Sequence, residues 1–544
     1  MVSVLYEDVV SHVFRFLTRR DRIRSGITHK SWLEIAQRMS NCGDFISFKS
    51  TQKDKDKLLQ SIKSPFFKQT NSVLLVHSWP TEDPGPWIQT IVECMQDKSH
   101  DNIRDLYLAF YGGHLTNKEY ESLFYQAFCK CNSIIKMNLS GDSLSYNSTC
   151  AMVHFLNHNP NLRTLRLYNC KLGLDGIQEF VKCIEFCPLL ADLDLSENDM
   201  DDPVAVILFK KLENHHSLST LKLSSNKIGC IGMDALINVL HENHTLTSLD
   251  LGFNKVGSNS VIKVAQNIHS ITSLNLQYNS LLSASDVTAL AENLKTKSSI
   301  TMLNFNGLSM DTHSSEAVVS LIDKNKSIKS LKIDDTKFDL DAICKMLRSN
   351  QPSLSELDIG CIHFEKENAT IFSQALLSNS YLSKLSIRFE IKQEQGGQNH
   401  SDELNNEILT ILCSTFGKCS TLTSLGIKCN NLGGNGVKML MKALQFNKTI
   451  TDLHIFNTFD ILCNMASFCD YIKQNKTISK LYIHTRGTTN SHEIITWLTS
   501  IQCSKSLKIF SLNTDPIQRS VELQKRIRTI CDDLYHNQGT LVYL

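Results

Sequence analysis

The 544-residue sequence predicts an α/β solenoid, and three observations carry that expectation. A short apolar phrase returns fifteen times from Ile103 onward, most often at a step of 28 residues. Each phrase alternates apolar and polar residues with period two, as LRTLRLYNCKL does from Leu162 to Leu172. A dozen or so residues with apolar groups at helical spacing then follow, as in GMDALINVLHEN from Gly232 to Asn243. Self-similarity at a fixed interval marks stacked units that share one long core.

Taken in order, residues 1–40 set Val9, Val10, Val13, Phe14, Leu17, Ile23, Ile27, Trp32, Leu33 and Ile35 in apolar stripes on either side of a basic turn. This predicts two or three short helices with too little mass to be stable alone. Residues 41–99 read as a linker and degenerate cap, in which the apolar run Val73 to Val76 fits a capping strand and a Pro-rich connector spans Trp79 to Trp87. From residue 100 to the end run about fifteen units, opening at Ile103, Ile134, Leu162, Leu190, Leu218, Leu246, Ile271, Ile300, Ile328, Leu354, Leu382, Leu422, Ile450, Ile478 and Leu507. The step of 40 residues after Leu382 holds its surplus in Glu390 to Asn406, a polar, Gly-containing run that reads as a surface loop.

Each unit is thus strand, turn, helix. Right-handed crossovers make successive strands parallel neighbours with the helices on the other face. Because a helix is wider than a strand, the stack is expected to bend into a horseshoe, with its parallel sheet concave and its helices convex. Asn198, Asn226, Asn254, Asn279 and Asn430 stand eight residues after the opening position, where a buried amide can bond the backbone of the turn. Gly173, Gly229, Gly257 and Gly433 are read as permitting a tight turn into the helix. Asn243, Asn447 and Asn475 match the glycosylation pattern, yet all precede the next unit by three residues, so each is read as a left-handed residue ending a helix.

The stretch Thr220 to Gly257 resembles the ribonuclease-inhibitor subfamily of leucine-rich repeats, and the resemblance covers residues 100–544. It weakens after Ile300, where the turn asparagines are mostly replaced and less regular repeats are expected. Residues Leu5 to Ala36 resemble an F-box: Leu5, Glu7, Val9, Val13, Phe14, Leu17, Asp21, Ile23, Lys30 and Trp32 hold matching positions, while Tyr6, Thr28 and His29 depart from the pattern. That resemblance implies docking to a Skp-type adaptor, and through it to a cullin ubiquitin ligase, with Leu5, Val9, Val13, Leu17, Ile23 and Trp32 as adaptor contacts.

With 56 basic and 55 acidic side chains, the charge balance favours neither nucleic acid nor anionic membrane. The acidic start, without a signal-peptide pattern or an apolar span, reads as a cytoplasmic chain, with the nucleus also open to it. Eighteen cysteines, mostly single within repeats, read as reduced structural thiols. No phosphate-cradling loop, zinc-binding helix or paired CxxC motif occurs, so no catalytic residue, metal or cofactor is assigned.

Residues at the third, fifth and seventh positions of each phrase face away from the core leucines. The predicted recognition set for an unknown protein substrate comprises Arg166, Tyr168, Asp194, Lys222, Asp250, Phe253, Tyr278, Lys332, Arg388 and Phe456; Phe389, Lys428 and His484 lie in the same stripe. Paired charges among them are also read as salt links between neighbouring strands. The resulting expectation is a non-catalytic substrate receptor of a cullin-based ubiquitin ligase. Ribonuclease-inhibitor-like arrays also occur in a GTPase-activating family, and the alternative that this resemblance implies is a GTPase-activating or other regulatory repeat scaffold without a ubiquitin role, in which Arg166 beside Asn169 would assist hydrolysis in trans.

Overall fold

The computed structural model describes residues 134–141, 144–391, 398–429, 433–458, 465–485 and 506–513, the strand backbones at 46–48, 72–78, 105–111 and 541–543, and residues 504, 530 and 534. The predicted adaptor contacts Leu5, Val9, Val13, Leu17, Ile23 and Trp32 lie outside the described residues. Over the described residues the chain separates into two compact units, one ending at Ile300 and the other beginning at Thr301.

In the unit ending at Ile300, nine strands pair in parallel in chain order. They are β1 (Ile46–Phe48), β2 (Ser72–Ser78), β3 (Asp105–Tyr111), β4 (Lys136–Asn138), β5 (Thr164–Arg166), β6 (Asp192–Asp194), β7 (Thr220–Lys222), β8 (Ser248–Asp250) and β9 (Ser273–Asn275). The Val73 to Val76 run is indeed a strand, and it has a further partner at Ile46. From β4 on, one helix follows each strand, as Asp202–Leu212 follows β6 and Cys230–Glu242 follows β7. The fourth- and sixth-position leucines, Leu165 and Leu167 through Leu274 and Leu276, are at most 1% exposed, which places the core between sheet and helices. Burying one such side chain contributes about 1.5–3 kcal/mol, so the period of 28 is held chiefly by these residues.

The short strands end in a common way. The eighth residue of a unit donates its N–H to the seventh-position carbonyl of the next unit: Asn169 to Ser196, Glu197 to Ser224, Ser225 to Gly252 and Phe253 to Gln277, at 2.7–2.9 Å. It then takes a left-handed backbone, with φ between 52° and 57° in these four. That bend turns the ninth residue inward. Asn198, Asn226, Asn254 and Asn279 are there buried and form an amide ladder. Asn226 Oδ1 accepts from the N–H groups of Asn198 and Met200 (3.1 and 2.9 Å), while its Nδ2 donates to the carbonyls of Leu195 and Leu223 (3.1 and 3.0 Å). The structural role expected of these four asparagines is therefore observed; Asn430 lies outside the described residues.

Two local readings need correction. Asn243 ends its helix in extended backbone (φ −93°, ψ 112°), not a left-handed one. Its side chain is what the slot requires: Nδ2 donates to the His215 carbonyl at 2.7 Å and Oδ1 accepts from Leu246 N–H at 2.8 Å. Asn447 and Asn475 repeat the arrangement, so at all three the amide of the glycosylation pattern is buried and bonded. Likewise, of Gly173, Gly229 and Gly257 only Gly173 has a left-handed backbone (φ 66°). Gly229 is needed for its size, because Asp202 Oδ1 accepts from Gly229 and Gly232 N–H (2.6 and 3.0 Å), capping the next unit's helix where a methyl group would crowd the carboxylate.

The unit beginning at Thr301 is built alike but less evenly. Its strands, again parallel and in chain order, are β10 (Met302–Asn304), β11 (Ser330–Ile333), β12 (Glu356–Phe364), β13 (Lys384–Ile391), β14 (Ser424–Lys428), β15 (Asp452–Thr458), β16 (Lys480–Thr485), β17 (Ile509–Asn513) and β18 (Leu541–Tyr543). The ninth position holds Leu308, Thr336, Ile362 and Glu390 in the first four of its repeats. At Ile362 no amide closes the turn, and β12 and β13 keep pairing to Phe364 and Ile391 after a register shift. Alternation along this longer strand carries Phe389 inward. It is 1% exposed and packs 5.7 Å from Phe364, so the expected exposed aromatic is a core residue. The expected loop from Glu390 to Asn406 is also corrected, since β13 runs to Ile391 and a 21-residue helix spans Gln398–Lys418.

Candidate interaction surface

Within each unit the side chains that face away from the core leucines form rows across the sheet. In the unit ending at Ile300, much of the fifth-position row serves the fold. Asn138, Asp194, Asp250 and Asn275 each accept the N–H two residues on, at 2.9–3.1 Å, and so close their own strand ends. Asp250 also accepts from Asn275 Nδ2 at 2.8 Å; burial pushes its carboxyl up while these two bonds oppose the rise. Lys222 stands 3.9 Å from Asp194, and Arg166 donates to Asp192 at 3.0 Å across the strand pair. These are the inter-strand salt links read from the sequence. Tyr168 donates to Glu197 at 2.5 Å, and burial first, then that bond, raises its phenol above the ordinary range.

Phe253 and Tyr278, both eighth-position residues, meet on the turn rim. Their rings stack at 4.5 Å and 16°. Phe253 remains 45% exposed.

In the unit beginning at Thr301 the central feature is Asp334, a seventh-position residue absent from the predicted set. Arg388 Nε donates to its Oδ1 and Nη2 reaches its Oδ2, both at 2.8 Å, although the residues sit two repeats apart. They meet because Gly360, between them in the row, has no side chain; a methyl group there would overlap Asp334 Oδ1. Lys428 Nζ lies 3.2 Å from Asp334, 3.7 Å from Asp358 and 5.8 Å from the Phe456 ring centre. Burial alone would raise the Asp334 carboxyl, but the Arg388 bond and the charges of Lys428 and Arg388 hold it below the ordinary carboxylate range. Asp358 is pushed up by burial, with Lys428 opposing. Lys332 faces Asp358 on the neighbouring strand.

Beside this cluster, four rings stand nearly parallel on β15 and β16. His454 stacks on Tyr482 at 4.3 Å, and Phe456 on His484 at 4.7 Å. Of the predicted set, Arg388 and Phe456 thus come together through Lys428. Asp334 and Gly360 were the missing members, and the seventh-position row Asp334, Gly360, Arg388, Lys428, Phe456 is the signal that contained them.

Among the described thiols, burial pushes Cys187, Cys413 and Cys419 up to about 12 and Cys344 to about 11, so they stay protonated at neutral pH. No helix among the described residues is long and apolar enough to cross a membrane.

Segments 158–181, 214–236, 242–265 and 418–441 match the family described as Leucine Rich repeat. Human Leiomodin-3 is 27% identical over 149 residues, covering 27% of this chain and 24% of that protein. Chicken Leiomodin-2 is 29% identical over 147 residues, 26% of this chain and 24% of its own length. The match therefore spans about a quarter of the length of these relatives. FERM domain-containing protein C of Dictyostelium discoideum is 27% identical over 99 residues, 18% of this chain and 7% of that protein. Among solved structures, an internalin of Listeria monocytogenes aligns over 81% of this chain and 92% of its own, at 15% identity and a TM-score of 0.30. Parallel strands alternating with helices, the leucine frame and the matched segments together make this a leucine-rich-repeat solenoid.

Proposed function

We propose that this leucine-rich-repeat scaffold is the non-catalytic substrate receptor of a cullin-type ubiquitin ligase. Its N-terminal segment would dock a Skp-type adaptor and its repeats would hold a protein substrate. The observation that carries the adaptor half is the sequence from Leu5 to Trp32, whose apolar spacing resembles an F-box and which precedes a repeat array. The substrate half is supported by exposed or half-buried charged and aromatic side chains, such as Phe253 and the rings of His454, Phe456, Tyr482 and His484, displayed beside those of the row that serve the fold. The mechanism is proximity, in which tethering raises the local concentration of substrate at the ubiquitin-loaded enzyme.

The test is a pull-down of purified Skp-type adaptor with the full chain, with a deletion of residues 1–40, and with Leu17→Asp. Capture by the full chain alone supports the reading. No capture, or equal capture by all three, ends it. The GTPase-regulating alternative has less support, because the Arg166 guanidinium it needs is tied to Asp192; GTP hydrolysis stimulated by the full chain would revive it.

A further inference from the structure

Many of the charges on the two sheet faces bind one another, as Asp334, Arg388 and Lys428 do. The turn rim of the unit ending at Ile300 differs. Its eighth position must be left-handed for the strand to close, and the preceding repeats place Gly141, Asn169, Glu197 and Ser225 there. The next two place Phe253 and Tyr278, at φ 52° and 53°. A bulky side chain in this region is a rare, unfavourable choice. Core packing does not explain it, since Phe253 is half exposed and its ring rests on Tyr278 at the surface. Leu281, three residues further along the same turn, is 59% exposed. Left-handed backbone kept at an exposed Phe253 stacked on a part-buried Tyr278 points to a use.

The charges beside the pair indicate the kind of partner. The tenth positions of four successive units read Lys171, Asp199, Lys227 and Lys255. Lys227 pairs with Asp199 at 2.9 Å, whereas exposed Lys255, two residues after Phe253, has no carboxylate partner among the described residues. Beside the rings the rim thus offers an exposed apolar surface next to the cation of Lys255, while the rim carboxylates Asp199 and Glu197 are already bonded to Lys227 and Tyr168. A second copy of the chain would bring like charges together there.

Resting on the protein-binding reading above, we propose that this rim docks an acidic protein segment with an apolar anchor. An apolar side chain would sit on the Phe253–Tyr278 stack and an adjacent carboxylate would meet Lys255. Such aromatic anchors dominate protein interfaces.

The test pans a random-peptide library on the immobilised full chain, then compares wild type with Phe253→Asn/Tyr278→Asn. Asparagine tolerates the left-handed turn, so the double variant should melt no lower than wild type. The selected peptides should carry Asp or Glu beside Leu, Phe or Trp. They should bind the variant at least about tenfold more weakly, and wild type more weakly as salt rises. A lower melting temperature with unchanged peptide affinity would make the rings structural and overturn the proposal. Binders that ignore the substitutions, or whose consensus is basic, also overturn it while leaving the protein-binding reading standing. Loss of self-association in the variant would reassign the rim to a second copy, against the proposal.

Discussion

The repeats from Leu190 to Asn279 and those from Ile328 to Ile391 share a leucine frame but are closed differently. In the first group a buried asparagine ties each turn to its neighbour, strands stop after three residues, and the eighth residue bends left-handed. In the second, the Thr336 repeat still closes after a four-residue strand with Asp335 left-handed, but where Ile362 and Glu390 stand in that slot the strands lengthen to nine and eight residues. A buried amide therefore ties each turn to its neighbour, whereas a strand can also end without one, as it does before Cys170, Leu308 and Thr336; among these repeats the strands run on only where Ile362 and Glu390 hold the slot.

The largest expected effect tests the amide directly. Asn226→Ala orphans two backbone N–H groups and two carbonyls and should cost about 3 kcal/mol in denaturant unfolding. Thr336→Ala, which removes one hydroxyl bond to Ile333 at 2.7 Å, should cost about 1 kcal/mol. Equal costs would break the comparison. In the second region, Gly360→Ala should destabilise by about 2 kcal/mol, because the new methyl group displaces the Asp334 carboxylate from Arg388.

Asp334→Asn should cost about 1.5–2 kcal/mol at neutral pH, toward the low end for bonds to charged groups because Arg388 and Lys428 stay partly solvated. Its folded carboxyl is held below the ordinary value near 4, so its contribution is complete above that value and is lost as pH falls through the depressed one. The gap between wild type and Asp334→Asn should therefore close below about pH 4 in acid unfolding. A gap that persists there would mean the carboxylate charge is not what Arg388 needs. An effect as small as that of Thr336→Ala, about 1 kcal/mol, is expected of Asp202→Ala, for loss of the cap that one repeat supplies to the next.

The frame was legible because its signals are periodic. Leucines at the fourth and sixth positions recur with the strand, and a polar asparagine inside an apolar pattern can only be a bonded one. What escaped depended on whether a turn closes. Phe389 sits at the same position as Phe253, and only the longer strand sends one ring inward and the other outward. Asn243 was recognised as helix punctuation, but spacing cannot distinguish a backbone role from a side-chain one. The Asp334 cluster was hidden because its partner Arg388 is 54 residues away and the residue that lets them meet is a glycine with nothing to display.

A bond that reaches one repeat back fixes the strand-to-turn half of a unit. Where the chain of amides from Asn198 to Asn279 runs, a residue added between strand and asparagine would unhook two neighbours together, while the helical half already tolerates the 25-residue step from Leu246 to Ile271. Beyond it, the chain already carries a 40-residue step and a 21-residue helix in Gln398–Lys418. That is where insertions can accumulate over evolutionary time, adding new surface without recoding the repeats on either side.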